Sequence, residues 1–251
     1  MGLTELQEAV ARLLLDDSVR SNPSEIPNQM PGLSEEDLQI IKSIPLPDLE
    51  AAALVLPRKR MKRLEYLFPD TSHLLKDKFN DVFAVFAAEI LPRDEMQEAY
   101  DFATTLTGMS KLGHISPYAG DIARFEYLLL ELRAESKASD TPVGGDPWRP
   151  RLSRFCRLIR CNIDLPKVIR YLNTEAPIPD DVRGPKVYLI SHRDSKVDLF
   201  DILDEQARIL ERCDGSKSVE ELTTEVGKST GLSKTRASDW FNDLHEKKVL
   251  V

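Results

Sequence analysis

Chemistry in this chain would have to come from four histidines and three cysteines. His73, His114, His192 and His245 fall in four separate segments, and none sits in an HExxH pair. A lone histidine is more often structural or exposed than a metal ligand. Cys156, Cys161 and Cys213 are odd in number and irregular in spacing. That pattern suits neither a disulfide framework nor a zinc site, and reduced thiols are the simplest reading. The sequence has no Walker A loop, no GxGxxG turn and no nucleophile elbow. It therefore predicts no catalytic residue, no metal ligand and no cofactor-binding residue. An enzymatic reading would have to build a site from scattered groups, with Cys156 and His192 as the first pair to consider.

Binding is the better-supported chemistry. The run Arg58-Lys-Arg-Met-Lys-Arg63 puts five cations in six residues. Its plain reading is a solvated helical face. Its sharper reading is a docking surface in which Arg58, Lys59 and Lys62 meet an acidic partner. The setting of this run is acidic. The net charge is -8, with 16 Lys and Arg against 25 Asp and Glu in the first 150 residues. Residues 151–251 are balanced, with 18 against 17. Neither part has the basic excess of a nucleic-acid binder. A content of 41% hydrophobic and 30% charged residues describes a globular chain. No apolar run approaches the roughly 20 residues that cross a bilayer. Met1-Gly-Leu-Thr-Glu-Leu6 lacks the basic and apolar regions of a secretory signal, and Leu6 stands where myristoylation wants Ser or Thr. A cytoplasmic location is expected.

The elements that position these residues change character along the chain. The first part predicts helix after helix. Thr4 and Gln7 suit a capping box, with Leu6, Val10, Leu13 and Leu14 on one face. Ser34 caps a second helix. Pro57 predicts a kink or break in a helical segment over 48–67. A single helix is expected over about 70–90, with Leu74, Leu75, Phe79, Phe83 and Phe86 inside. Ser116-Pro117 opens a further helix. The Ser-, Gly- and Pro-rich stretch from Ser136 to Pro150 reads as a linker. Strand-like segments follow at 155–161, 186–191 and 196–202, with a short helix at 165–173. Three helices close the chain, separated by Asp214-Gly215 and opened by a Ser218–Glu221 capping box and by Ser233. The expectation is an α+β protein: an all-α N-terminal domain over 1–138, a linker over 139–151, and a small antiparallel sheet with three helices over 152–251.

The segments Ala207-Arg-Ile-Leu-Glu-Arg-Cys-Asp-Gly-Ser-Lys-Ser-Val-Glu-Glu-Leu222 and Trp240-Phe-Asn-Asp-Leu-His-Glu-Lys-Lys-Val-Leu250 resemble PqqD-like domains. Those are winged-helix recognition elements for the leader regions of ribosomally made, modified peptides (RiPPs). The resemblance implies that an extended peptide adds to the sheet edge, between the third strand and the third helix. The groove would then run along Val197, Asp198, Leu199 and Phe200, facing Arg236, Trp240 and Leu244. Leu199, Phe200 and Leu244 are also ordinary core residue types. Trp240 wants a partner or water for its N–H.

The N-terminal segments Leu33-Ser-Glu-Glu-Asp-Leu38, Arg58-Lys-Arg-Met-Lys-Arg-Leu-Glu-Tyr-Leu-Phe-Pro69 and Thr71-Ser-His-Leu-Leu75 resemble helical domains in partner proteins of multinuclear non-haem iron oxidases (MNIOs). The two resemblances together match the TglI-like partner family of 3-thiaglutamate formation. This implies a non-catalytic partner subunit, working as a heterodimer, that presents a carrier peptide to an iron oxidase acting on a peptide cysteine. Iron would belong to the partner enzyme, and this chain would hold no cofactor. The alternative is a winged-helix transcriptional regulator with 233–246 as its recognition helix. There Lys234, Arg236, Lys247 and Lys248 are offset by Asp239, Asp243 and Glu246, which suits phosphate contact poorly.

Overall fold

A computed structural model of the chain describes residues 3–15, 19–20, 28, 32–138, 149–193, 196–230 and 234–251. The architecture is α+β, mostly helical, with one three-stranded antiparallel sheet of order β1-β2-β3. The contacts divide the chain into two compact units, Met1–Ala123 and Arg124–Val251. The sequence expectation placed a linker at 139–151, of which residues 139–148 lie outside the described residues.

The N-terminal unit contains α1 (Leu3–Leu15), α2 (Glu35–Ser43), α3 (Leu46–Leu67), α4 (Pro69–Leu75), α5 (Lys78–Glu89) and α6 (Glu95–Lys111). Thr4 lies inside α1, so it is not the N-cap the sequence suggested. Ser34 does cap α2: its hydroxyl accepts from the Asp37 N–H, while the Asp37 carboxylate accepts from the Ser34 N–H. Pro57 does not interrupt α3, which runs unbroken for 22 residues. A proline removes the N–H that would bond one turn back and crowds the carbonyl there, and the helical turns on either side of Pro57 carry α3 through both. The single helix expected over 70–90 is two helices. Lys76 has φ of 50°, a left-handed conformation that ends α4 without a glycine or proline to announce it.

Apolar packing fills this unit. Phe68, Phe79 and Phe86 surround Phe102, with ring centroids 5.1–5.5 Å from it. Such offset and edge-on contacts add to the area buried. Gly120, near the start of α7 (Ala119–Ala138), is obligatory, because a Cβ there would stand 2.9 Å from the Thr107 Cα of α6.

The C-terminal unit takes the rest of α7, then β1 (Cys156–Ile163), α8 (Leu165–Asn173), β2 (Arg183–Arg193), β3 (Lys196–Ile202), α9 (Asp204–Leu210), α10 (Val219–Thr230) and α11 (Lys234–Glu246). Glu221 and Ser218 make the expected reciprocal cap of α10. Gly215 has φ of 85° and adopts the left-handed turn expected after α9. Arg151 packs on that glycine, with its Nε 3.3 Å from where a Cβ would sit. The same residue pairs with Asp214, and Leu152 pairs with Leu250, which ties the chain's end to the entry of the sheet.

Candidate functional site

The sheet sorts its side chains by the two-residue period of a strand. The register aligns Leu158, Leu189 and Phe200 as one cross-strand row, with Cys156, Ser191 and Asp198 as the next row on that face. This face meets the last three helices: Cys156 and Leu189 share a core with Ile209, Leu210, Cys213, Leu222, Phe241 and Leu244. The other face carries Arg157, Ile190 and Leu199 in one row and His192 with Val197 in another. There Arg157 pairs with Glu131 at 2.9 Å and also with Glu135, both from α7. Tyr188, on the same face, has its hydroxyl at the Leu165 backbone, and burial pushes its pKa upward.

Central and edge strands differ sharply. Every residue of β2 from Val187 to His192 is buried. β3 is exposed or half-exposed along its whole length. Among the described residues no strand pairs with its outer side. Alternate residues of an antiparallel strand turn their N–H and C=O groups to opposite edges. Every second residue of β3 therefore offers an unpaired donor and acceptor outward.

The predicted groove is brought together only in part. Asp198 and Phe200 turn to the face of α11, while Val197 and Leu199 turn to the opposite face. Four consecutive strand residues cannot line one wall, because the pleat alternates them. Phe200 is 36% exposed and Val197 equally so. Trp240 is half-buried and meets Phe241 edge-on at 5.3 Å. Leu244 belongs to the core rather than to a groove wall. The side chain of Arg236 lies outside the described residues, although its backbone is in α11. Lys59, Lys62 and Arg58 are all exposed on α3.

A cleft of about 520 Å³ at the open end of the sheet escaped the sequence reading. Its walls include Arg160, Lys186, Asp201 and Leu203. The charges there are matched. Arg160 pairs with Asp204 at 3.1 Å and with Glu211, and Lys186 pairs with Asp201 at 2.5 Å. The hydrogen bond from Arg160 holds the Asp204 carboxyl below its ordinary value. One sequence feature did point here. Leu203 stands at the N-cap of α9, where a polar side chain is usual, and it is largely exposed.

The groups that might have carried catalysis are dispersed. Cys156 faces the helical core beside Ser191, and His192 is the next residue of β2, pointing to the other face. Burial pushes the Cys156 thiol up, and pushes Cys213 up to about 12. Thiols held in that state are poor nucleophiles and poor metal ligands. Among the described residues no cluster of three His, Cys, Asp or Glu could hold a metal ion. None of their helices is long and apolar enough to cross a membrane.

Compared with known proteins, the chain matches no family model and no curated protein.

Proposed function

We propose that the chain is a substrate-recognition subunit: its C-terminal unit, a PqqD-like winged-helix element, captures a leader or carrier peptide as an added strand on β3. The observation that carries this reading is the open edge of β3, flanked by exposed Val197 on one face and exposed Phe200 on the other. Strand addition takes its affinity from main-chain hydrogen bonds and its selectivity from alternate side chains. A peptide lying there would set one apolar residue beside Phe200 and the next beside Val197 and Leu199. The subunit then presents the peptide, in the cytoplasm, to an iron-dependent oxidase that modifies a peptide cysteine, as in 3-thiaglutamate formation. Iron and catalysis belong to that enzyme, and the N-terminal unit docks it.

Fluorescence anisotropy of the labelled precursor peptide tests this, with duplex DNA as the parallel probe. Phe200→Arg should weaken peptide binding by at least about tenfold, with the far-UV spectrum unchanged. Duplex DNA bound in place of the peptide, with a steep salt dependence, would overturn the reading in favour of a transcriptional regulator.

A further inference from the structure

Helical phase divides α3 around its axis. Leu49, Arg60, Leu64 and Leu67 turn inward and are buried. Ala51, Leu54, Val55, Arg58, Lys62 and Tyr66 fall on the opposite side, and all are exposed. Leu54 is 66% exposed, Val55 nearly half and Tyr66 84%. Exposed apolar groups gathered on one face and rimmed by charge mark an interaction surface.

The same face is also sorted along its length. Asp48 lies in the first turn, Ala51, Leu54 and Val55 follow, and Arg58, Lys59 and Lys62 come after them. Among the described residues neither Asp48 nor any of these three cations has an ion-pair partner. The face therefore reads acidic, apolar, basic, with its charges uncommitted.

That order selects a partner. A parallel copy of the helix would set cation against cation, whereas an antiparallel copy sets the acidic end of each against the basic end of the other. With a twofold axis at Val55, Asp48 of one copy comes level with Lys62 of the other, because both stand seven residues from the axis. Lys59 and Lys62 follow Asp48 by 11 and 14 residues, close to three and four whole turns, so the three share one flank. A twofold axis brings each flank against the same flank of the other copy. Each Asp48 then meets Lys59 and Lys62 across the axis, and the contact is made twice. Val55 meets its counterpart at the centre, with Ala51 and Leu54 of both copies beside it. Glu65 comes level with the start of the other helix, which has no side-chain cap and where the macrodipole favours an anion.

We propose that the outer face of α3 is a self-association surface, on which a second copy of this chain packs its own α3 antiparallel. Polyanions fit this face less well: the unit carries 12 Lys and Arg against 20 Asp and Glu, so nucleic acid or an anionic bilayer meets overall repulsion. A single helix pair buries less than a standard interface, so the dimer is weak, with a dissociation constant on the order of 10–100 µM. The inference does not rest on peptide capture by β3.

Sedimentation velocity of the full chain over about 1–500 µM tests it. The expected result is a concentration-dependent monomer–dimer equilibrium that Val55→Asp shifts to monomer. Lys59→Glu/Lys62→Glu should weaken the dimer about tenfold or more, and adding Asp48→Lys to that variant should restore it. Restoration by a third charge change would not follow from mere misfolding of the double variant. Phe200→Arg should leave the equilibrium unchanged, which separates this surface from the β3 edge. A chain that stays monomeric throughout would overturn the proposal and leave the face to a different partner. So would a dimer indifferent to Val55→Asp, a dimer abolished by Phe200→Arg, or no restoration by Asp48→Lys.

Discussion

Two halves of one basic run behave as different materials. Arg60 Nε donates to Glu98 Oε1 at 2.5 Å, and Nη2 donates to the Ile90 carbonyl at 3.0 Å. The guanidinium carbon lies 5.5 Å from the Phe86 ring centre and 5.9 Å from that of Phe83. Burial, with help from nearby Arg63, pulls the Arg60 pKa down to about 10, so it stays charged at neutral pH. The cations on the outer side of the same turns have water as their surroundings. What separates them is helical phase alone, and it decides which charges hold the fold and which remain available to a partner. A buried ion pair has to be judged by what its loss leaves behind. Removing Glu98 strands two guanidiniums, one of them fully interior. Glu98→Ala should therefore destabilise the chain by about 3–5 kcal/mol, as read from urea unfolding. A cost below about 1 kcal/mol would mean that Arg60 re-solvates readily and is not a structural charge.

The sheet offers the same contrast in apolar form. Leu189 and Phe200 are cross-strand partners on one face, yet Leu189 is 1% exposed and Phe200 36%. Leu189→Ala should cost about 2–5 kcal/mol, because a filled core position becomes a cavity. Phe200→Ala should cost only about 1 kcal/mol, since much of the ring already meets water and no closed void is left. Comparable costs at both positions would show that the β3 edge is packed more like a core than its exposure indicates. A small stability cost joined to a large loss of peptide affinity would sharpen the division between holding and binding.

Local features of the sequence were legible where one or two residues dictate the backbone. The strand at Lys196–Ile202 and the helix at Leu165–Asn173 have the expected bounds. Ser34, Ser218 and Gly215 act as their chemistry requires. The turn at Lys76 was illegible, because a left-handed lysine carries no local mark. The Arg60–Glu98 pair was illegible for a different reason: its members are 38 residues apart and belong to an otherwise ordinary charged run. The groove was half legible. The strand and its apolar residues were in the sequence, but grouping Val197, Asp198, Leu199 and Phe200 on one wall ignored the alternation that the pleat imposes. Leu244 could be assigned to core or groove only once its neighbours were known.

Acid should separate the two units. Asp204, Asp214, Glu221 and Glu225 in the C-terminal unit all have carboxyls held below their ordinary values by hydrogen bonds. In the N-terminal unit Ser34 holds the Asp37 carboxyl down in this way, while burial pushes Asp70 up. A lowered carboxyl stabilises the fold above its unfolded value and loses that contribution as pH falls through the folded one. The window therefore opens below the ordinary 3.8 of Asp and 4.5 of Glu. Asp70 has the opposite sign: its folded form favours the proton, so its contribution is present at low pH and lost as pH rises. Trp240 lies in α11 of the C-terminal unit. In a Trp148→Phe background its fluorescence should change at a higher pH than the far-UV helix signal during acid titration. Coincident midpoints would mean that the units unfold together.

The smallest effect on stability is expected at the outward cations of α3. Arg58, Lys59 and Lys62 are exposed and have no ion-pair partner among the described residues. Reversing all three should shift unfolding by no more than about 0.5 kcal/mol, the usual range for surface substitutions. The reversal adds negative charge to an already acidic unit, which destabilises it, and places Glu four residues from Arg63 on the same helix, which stabilises it. These terms are screened at physiological salt and partly cancel. A loss of several kcal/mol would show that the outer cations support the Glu98 cluster through the field they create, and the sorting of the run by helical phase would fail.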